Sequence, residues 1–323
     1  MTPPDPLPPL RDAIADLDRA LLELLRRRME IAGEVGRLKA ERGAPIVVRD
    51  VEDQVLRRAR QQAESCGVSE EVLEAVFRAI IRGSVERQHR VGVELRARRG
   101  ERVLIAGGAG GMGGWFHAFL DLAGHRCDLL DPAFAGLAAA AAALPGGRRP
   151  LIVEISSIKT PLVPALEQAR RDGVRVAALH PMFGPGKSLY EPLTFVLAAQ
   201  DETDGDRRAV EPFLSHPYTR LVEVPFAHHD RLMGWLLGLA HLANLLFGAA
   251  LCRSGIAPAE LHACASTTFL RQAATARSVL GEDADLYLDI QRLNPYRTDV
   301  YRATREALAH LEGLVETLSL IHI

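Results

Sequence analysis

The sequence is poor in the features that mark secreted, metal-rich or nucleic-acid-binding chains. Its four cysteines, Cys66, Cys127, Cys252 and Cys264, form no C-x-x-C pair, which favours reduced thiols in a cytoplasmic protein. The formal net charge of −2 gives no sign of a polyanionic partner, so no nucleic acid is predicted. The first nine residues are proline-rich and carry an acid, unlike a secretory signal.

One apolar run is long enough to span a membrane. Leu232–Cys252 contains no charged residue. His241 and Asn244 lie in its middle, and an arginine flanks each end without the asymmetry that orients membrane helices. A helix buried on all sides, in the core of a dimer, is the simpler interpretation, so no membrane partner is predicted.

A glycine-rich turn is the strongest local pattern. Val103–Ala106 read as a buried strand, Trp115–Ala123 as a helix and Cys127–Leu130 as a second strand. The turn between the first two contains G-x-G-x-x-G, which in this context is typical of dinucleotide binding. The sequence therefore predicts NAD as cofactor, held by Gly108, Gly110, Gly111, Met112, Gly113 and Asp131.

These residues have distinct expected roles. Gly108 permits the tight turn, and Gly110 lets backbone N–H groups approach a pyrophosphate at the helix N-terminus. Gly113 allows the helix to pack closely on the strand. Asp131 would accept hydrogen bonds from the adenosine ribose and repel a 2′-phosphate, which favours NAD over NADP. The alternative is a merely glycine-rich loop.

The first 95 residues predict an all-helical domain. Predicted helices are Leu7–Glu41, Val51–Ser65 and Ser69–Arg98. The first carries apolar residues at alternating steps of four and three, the seam of a coiled-coil-like pair. Arg28 occupies a seam position, and Ser84 and Gln88 end the apolar face of the third helix. An arginine in such a seam requires an anion or must extend to solvent, and the latter is the simpler alternative.

This segment resembles the all-helical chorismate mutase domain, an intertwined dimer of long helices. The resemblance spans LRDAIADLDRALLELLRRRMEIAGEVGRLK and the later FRAIIRGSVERQ. It implies a chorismate site made by Arg11, Arg28, Lys39, Glu52, Ser84 and Gln88. The arginines would hold the two carboxylates, and Lys39 and Gln88 would donate to the ether oxygen as the C–O bond breaks. Glu52 would accept from the substrate hydroxyl.

The resemblance is incomplete before Glu52. The family has an arginine and an aspartate where this chain has Val51 and Val48. A shifted alignment recovers Asp50 but places Asp53 and Gln54 at the Arg–Glu positions. Either way one expected arginine is absent.

Alternating strands and helices follow from residue 102, which predicts a parallel, doubly wound sheet. Predicted strands include Leu151–Ile155, Val174–Leu179, Phe195–Ala198 and Arg220–Val224. Ser157, Lys159 and His180 come at or just after strand ends, where such sheets place functional residues. His228, His229 and His241 lack metal-ligand spacing and are expected to pack or cap, so no metal is predicted.

From residue 102 to about 316 the sequence resembles prephenate dehydrogenase. The residues that carry the resemblance are GGAGGMGGWF, EISSIKTP, LHPMFGPG, the HHD before the apolar helix, and STTFLRQAATARSVLGEDADLYLDIQ. The order of the two segments matches the bifunctional tyrosine-pathway family. It implies three domains: a mutase-like all-α domain (1–95), an NAD-binding Rossmann-like α/β domain (101–226) and an all-α dimerisation domain (227–317), in a homodimer.

The resemblance also implies catalytic roles. His180 would take the proton of the prephenate C4 hydroxyl as hydride leaves C4, before loss of CO₂ aromatises the ring. Ser157 would hydrogen-bond the same hydroxyl or orient the imidazole, and Lys159 would support cofactor or substrate charge. Arg277 would clamp the ring carboxylate, with Arg271 as the alternative.

Two stretches depart from the family. Residues 132–150 have room for one helix where the family places a further strand and helix, so a strand–helix unit is expected to be missing. The final LSLIHI is expected to be a non-native tail on a truncated chain. Two alternatives stay open: a catalytically degenerate relative that senses a ligand or serves as a partner subunit, and an enzyme for 4-amino-4-deoxy analogues.

Overall fold

The computed structural model describes residues 7–46, 49–95, 101–106, 110–130, 151–199, 205–214, 216, 218–281 and 284–316. Val48, Gly108, Asp131, the short 132–150 segment and the 318–323 tail therefore lie outside the described residues. Contacts group the chain into two compact units. Unit 1 comprises Met1–Gly136, Phe183–Thr194 and Phe213–Arg220, and unit 2 comprises Leu137–Met182, Phe195–Pro212 and Leu221–Ile323. The division into three domains stays a prediction.

Unit 1 begins with the predicted helices. They are α1 (Leu7–Arg42), α2 (Arg49–Gln61), the short α3 (Ala63–Cys66) and α4 (Glu70–Leu95). The second half of α1 packs on α4 through small residues, since Ala32, Gly33 and Gly36 are its buried positions. A Cβ added at Gly36 would lie 2.6 Å from the Cα of Gln88 on α4, so this crossing requires glycine.

The predicted seam of α1 is exposed in the single chain. Leu10, Leu17 and Leu24 keep 60, 65 and 63 % of their surface accessible. By contrast, α2 packs on α4 through a small core of Leu56, Ile81 and Val85. The apolar stripe along the first half of α1 therefore has no cover within the described part of this chain.

The rest of unit 1 contains the glycine turn. Strands β1 (Arg102–Ala106) and β2 (Arg126–Leu130) pair in parallel, and α5 (Gly111–Leu122) connects them. Trp115 and Phe119 of α5 stack with ring centroids 5.0 Å apart. The centroid of the His216 ring lies 5.5 Å from that of Phe119 on α5 and 4.8 Å from that of His89 on α4. His216 therefore contacts both the helical segment and the segment that contains the glycine turn.

Unit 2 holds a second sheet in the order β3-β4-β5-β6. Its elements are β3 (Leu151–Glu154), α6 (Val163–Arg171), β4 (Arg175–Pro181), β5 (Leu193–Ala199), α7 (Gly205–Val210) and β6 (Thr219–Pro225). β3 and β4 are parallel, but β5 runs antiparallel to β4. The prediction of a parallel sheet was wrong at β5 because no crossover helix separates it from β4, and only a crossover can restore the parallel direction.

Helices complete unit 2. They are α8 (Phe226–Met233), a π-helical turn (Gly234–Leu239), α9 (Ala240–Arg253), α10 (Pro258–Ala263), α11 (Thr267–Leu280), α12 (Ala284–Leu293) and α13 (Arg297–Glu316). Phe226–Arg253 is long and apolar enough to cross a membrane, since an 18-residue window within it has a mean hydropathy of 1.7. The side chains of Trp235, Leu236 and Leu246 are exposed, so the expectation of a helix buried on all sides is not met within one chain.

The α1–α4 crossing generates a prediction. Gly36→Ala should destabilise unit 1 by about 1–3 kcal/mol, because the new methyl group meets backbone atoms of Gln88 that cannot rotate away. The matched control is Gly83→Ala on α4, where a Cβ would meet only the Met29 sulfur at 3.7 Å. Chemical denaturation followed by circular dichroism measures both. Equal stability of the two variants would contradict the close crossing.

Candidate active sites

A buried ion pair lies beneath the first candidate site, in unit 2. The Lys159 Nζ is 2.6 Å from Glu154 Oε1, and both side chains are almost fully buried. The same ammonium donates to the carbonyls of Ser156 (2.8 Å) and Leu179 (2.9 Å). Burial lowers the pKa of Lys159 and the Glu154 carboxylate opposes that shift. Since all three protons of the ammonium have partners, Lys159 joins the end of β3 to β4 and has no donor left for a ligand.

Asp230 of α8 ties the loop after β3 to the helix. Its carboxylate accepts from the backbone N–H groups of Lys159 (2.9 Å) and Thr160 (2.7 Å), and from the Thr160 hydroxyl (2.5 Å). His229 Nδ1 lies 2.8 Å from Asp230 Oδ1. Burial raises the pKa of Asp230, but these hydrogen bonds outweigh it and lower the pKa to about 2. The buried carboxylate is therefore an anion surrounded by donors.

His180 lies at the end of β4 and is buried. Its Nδ1 is 3.2 Å from Nε2 of His229, which is itself fully buried. Burial and the nearby Lys159 ammonium lower the pKa of His180 to about 3. The imidazole is therefore neutral at physiological pH, as a general base must be before it accepts a proton.

The other predicted dehydrogenase residues are less constrained. Ser157 is half-buried, and no described group hydrogen-bonds its hydroxyl, so the imidazole of His180 is oriented by His229 instead. Arg271 and Arg277 both lie on α11 with exposed side chains. The choice between these arginines as carboxylate clamp stays a prediction.

The glycine turn of unit 1 fits a pyrophosphate. Gly110 is the extended N-cap of α5, no side chain caps this helix, and its first turn contains no acidic residue. The free N–H groups there suit a phosphate anion. Gly111 and Met112 begin the helix, and Gly113 is buried on it. A Cβ at Gly111 would come within 3.1 Å of Pro185, so the HPMFGPG motif reaches this turn through its second half.

The second candidate site is a cavity of about 370 Å³ between α1 and α4 in unit 1. Its lining is Leu24, Arg27, Arg28, Ile31, Ala32, Val35, Ser84 and Gln88. Arg28 brings a guanidinium to an apolar wall, and the Ser84 hydroxyl donates to the carbonyl of Ile80. The side-chain oxygen of Gln88 is buried and has no hydrogen-bond partner among the described residues. The unpaired oxygen can accept a hydrogen bond from a ligand hydroxyl, while the Arg28 guanidinium suits an anionic group.

Lys39 and Glu52 lie close together in the same unit. Lys39 Nζ donates to the carbonyl of Ile46 at 2.6 Å, and the Glu52 carboxylate raises the pKa of Lys39 while burial lowers it more. Glu52 is half-buried, whereas Asp53 and Gln54 are exposed. This geometry favours the alignment with Glu52 as the acceptor, with Val51 exposed at the position of the absent arginine.

Arg11 is not part of this cavity. It lies on α1 with Arg28, about 25 Å away along the helix axis at 1.5 Å per residue. Arg11 is exposed on the same half of α1 that presents the apolar stripe. Within one chain, therefore, the two predicted carboxylate ligands cannot meet.

Both parts of the chain are similar to known proteins. Residues 10–89 match the family described as chorismate mutase type II. The chain is 28 % identical over 307 residues to the T-protein of Enterobacter agglomerans. The match covers 87 % of this chain and 80 % of that protein. It is 27 % identical over 256 residues to the 4-amino-4-deoxyprephenate dehydrogenase of Streptomyces pristinaespiralis, covering 67 % of this chain and 85 % of that protein.

A solved structure shares the fold of the larger part. Prephenate dehydrogenase from A. aeolicus, in complex with hydroxyphenyl propionate and NAD⁺, superposes with a TM-score of 0.50 and 19 % identity. The match covers 67 % of this chain and 91 % of that one. Together with the helical segment, this confirms the predicted order of a helical domain, a Rossmann-like α/β region and C-terminal helices.

Sequence reasoning missed His229, Asp230 and Glu154. His229 was expected to pack or cap, yet it contacts His180 directly. A signal was present: the run of four polar residues from 228 to 231, shortly after a strand and directly before a long apolar stretch. The partner of that signal is far away in sequence and could not be identified from the spacing.

The buried ion pair generates a prediction. Lys159→Met should cost about 3–5 kcal/mol of stability, because it leaves the Glu154 carboxylate buried without its cation. The double variant Glu154→Gln, Lys159→Met should recover much of that loss, since no buried charge remains. Urea denaturation of the three proteins measures the effect. A Lys159→Met variant as stable as the parent would show that the ammonium is not a structural group.

Proposed function

We infer that the chain belongs to the bifunctional chorismate mutase–prephenate dehydrogenase family, and that it converts chorismate to prephenate and then prephenate to 4-hydroxyphenylpyruvate. The observation that carries this function is the match of residues 10–89 to chorismate mutase on the same helices that enclose a cavity with Arg28 and Gln88. Similarity to T-proteins over most of the chain supports the second activity. The cytoplasm is the proposed location, in keeping with cysteines that are all free.

The mutase step needs confinement and charge compensation rather than covalent chemistry. Arg28 would hold one carboxylate of chorismate bidentately, while the apolar wall of Leu24, Ile31 and Val35 holds the ring in its compact conformer. The Gln88 amide and Lys39 ammonium would donate to the ether oxygen, where negative charge develops as the C–O bond breaks. Glu52 would accept from the ring hydroxyl.

The dehydrogenase step requires a base at the C4 hydroxyl. Neutral His180 would take the hydroxyl proton on its imidazole, and Ser157, whose hydroxyl has no partner among the described residues, would hydrogen-bond the same oxygen. Arg271 or Arg277 would bind the ring carboxylate that is later lost as CO₂. Gly110, Gly111, Met112 and Gly113 would hold the pyrophosphate of NAD, with Gly108 and Asp131 as further predicted ligands. Bound NAD⁺ would supply the acceptor for the C4 hydride.

A 4-amino-4-deoxy substrate is the second candidate. Similarity to the 4-amino-4-deoxyprephenate dehydrogenase of Streptomyces pristinaespiralis favours it, because that match covers 67 % of this chain and 85 % of that protein. A neutral imidazole can accept a proton from an amine as well as from a hydroxyl. The comparison of kcat/KM for prephenate and its 4-amino analogue decides between them.

A homodimer would cover the exposed apolar faces of both units. In unit 1 the stripe of Leu10, Leu17 and Leu24 has the four–three spacing of a helix pair. A partner helix laid along this stripe would bring its own Arg11 toward the cavity of the first chain. In unit 2 the exposed apolar side chains of Leu236 and Leu246 would be covered by a second copy. We propose that chorismate and prephenate are bound by this dimer.

Two substitutions should separate the activities. His180→Asn should lower dehydrogenase kcat by roughly 10²–10⁴-fold with mutase activity unchanged, because it removes only the base. Arg28→Ala should lower mutase activity by roughly 10²-fold or more with prephenate oxidation unchanged, because it removes a carboxylate ligand. NADH absorbance from chorismate or from prephenate measures each step. No NADH from either substrate in the parent protein, with NAD still bound, would instead support a sensor.

Mixing variants tests the shared site. Arg11→Ala and Arg28→Ala dimers should each lack mutase activity, but subunit exchange between them should restore about a quarter of it. The reason is that half of the dimers are mixed, and each mixed dimer has one site with both arginines. Mutase rates before and after exchange are the measurement. No recovery, despite exchange confirmed by mass spectrometry, would mean that Arg11 does not act across the dimer.

A further inference from the structure

His229 is a buried titratable group that the mechanism above does not use. It is fully buried, lies one residue before Asp230 on α8 and contacts His180 on β4. The two rings are 5.3 Å apart between centroids and inclined by 55°. The three side chains thus form a chain of contacts from a buried carboxylate to the proposed base.

The proton positions along this chain follow from its anionic end. The Asp230 carboxylate accepts from Lys159 and Thr160, and carries no proton to donate. His229 must therefore place its proton on Nδ1, 2.8 Å from Asp230 Oδ1. In this tautomer the bare Nε2 of His229 faces Nδ1 of His180 at 3.2 Å. A hydrogen bond between those nitrogens requires that His180 carry its proton on Nδ1.

We propose that His229 and Asp230 are positioning residues that hold His180 in the Nδ1–H tautomer, so that its Nε2 is the nitrogen that accepts the substrate proton. Nε2 of His180 has no partner in the described part of the chain, so its lone pair is available. This inference rests on the proposed dehydrogenase function. It assigns a role to the HHD sequence that spacing alone left as packing.

The relay also acts during the reaction. The C4 hydroxyl proton would move to His180 Nε2 and the O–H electrons would form the C4 carbonyl, with bound NAD⁺ supplying the acceptor for the C4 hydride. Cleavage of the bond to the ring carboxylate releases CO₂, its electrons aromatise the ring, and the phenolate oxygen takes the proton back from Nε2. While His180 is an imidazolium, its Nδ1–H stays bonded to His229, and the Asp230 carboxylate offsets the positive charge.

Two other charges face this imidazole. The Lys159 ammonium opposes an imidazolium, and the Glu154 carboxylate paired with Lys159 reduces that effect. His180 is therefore neutral at rest, with Asp230 as the anion connected to it by hydrogen bonds. This arrangement gives a weak resting base that is stabilised as it becomes charged, which suits a transient proton acceptor.

The tautomer can be read without substrate. In selectively ¹⁵N-histidine-labelled protein, the His180 signals, assigned by comparison with His180→Asn, should show protonated Nδ1 and bare Nε2. His229→Leu should convert His180 to a mixture or to the Nε2–H form, while His228→Leu, an exposed neighbour, should leave it unchanged. Protonated Nε2 in the parent protein would overturn the proposal whether or not the chain oxidises prephenate.

Kinetics provides the second readout. His229→Leu should lower dehydrogenase kcat by roughly 10²–10⁴-fold with little change in KM for prephenate, because binding groups remain while the base presents the wrong nitrogen. His229→Gln, whose side-chain oxygen can accept from Nδ1, should recover part of that loss. Mutase activity in each variant reports whether the chain is folded. A His229→Leu enzyme with unchanged kcat, or a Gln variant no better than Leu, would also refute the relay.

Discussion

A buried carboxylate that must be neutralised by donors organises the larger catalytic region. An ionised group in the interior is tolerated only when hydrogen bonds replace the water it has lost. Asp230 meets this requirement with the N–H groups of Lys159 and Thr160, the Thr160 hydroxyl and the His229 ring. Satisfying one anion thereby fixes the loop after β3, the start of α8 and, through His229, the imidazole at the end of β4.

The helical site follows a different constraint. The close crossing of α1 and α4 at Gly36 sets the distance between these helices, and Gln88 at this crossing also lines the cavity. Arg28 lines that cavity and no carboxylate does, so its exposed guanidinium is available to an anionic ligand. The apolar stripe on the first half of α1 stays uncovered within the described residues, and it is the face on which the proposed second copy would pack.

The sequence predicted those parts of the molecule that depend on local pattern. The bounds of α1, the glycine turn that opens α5 and the position of His180 at a strand end all follow from periodicity or from motifs of adjacent residues. What it could not predict depends on contacts between distant residues. The contact between His180 and His229 joins a strand to a helix. The Lys159 ammonium donates to the carbonyl of Leu179, which is 20 residues further along the chain. The antiparallel direction of β5 was not predicted, because the alternation of strands and helices was assumed to continue between β4 and β5, where the structure has no helix.

The contacts of the His216 ring in unit 1 bear on whether the two segments can be separated. It touches His89 on a helix of the mutase segment and Phe119 on the helix after the glycine turn. The two segments are therefore joined by packing of aromatic rings as well as by the peptide chain. Separating the two segments would expose these rings, so each separate product would need another cover for them. Packing of this kind favours the retention of both catalysts in one polypeptide.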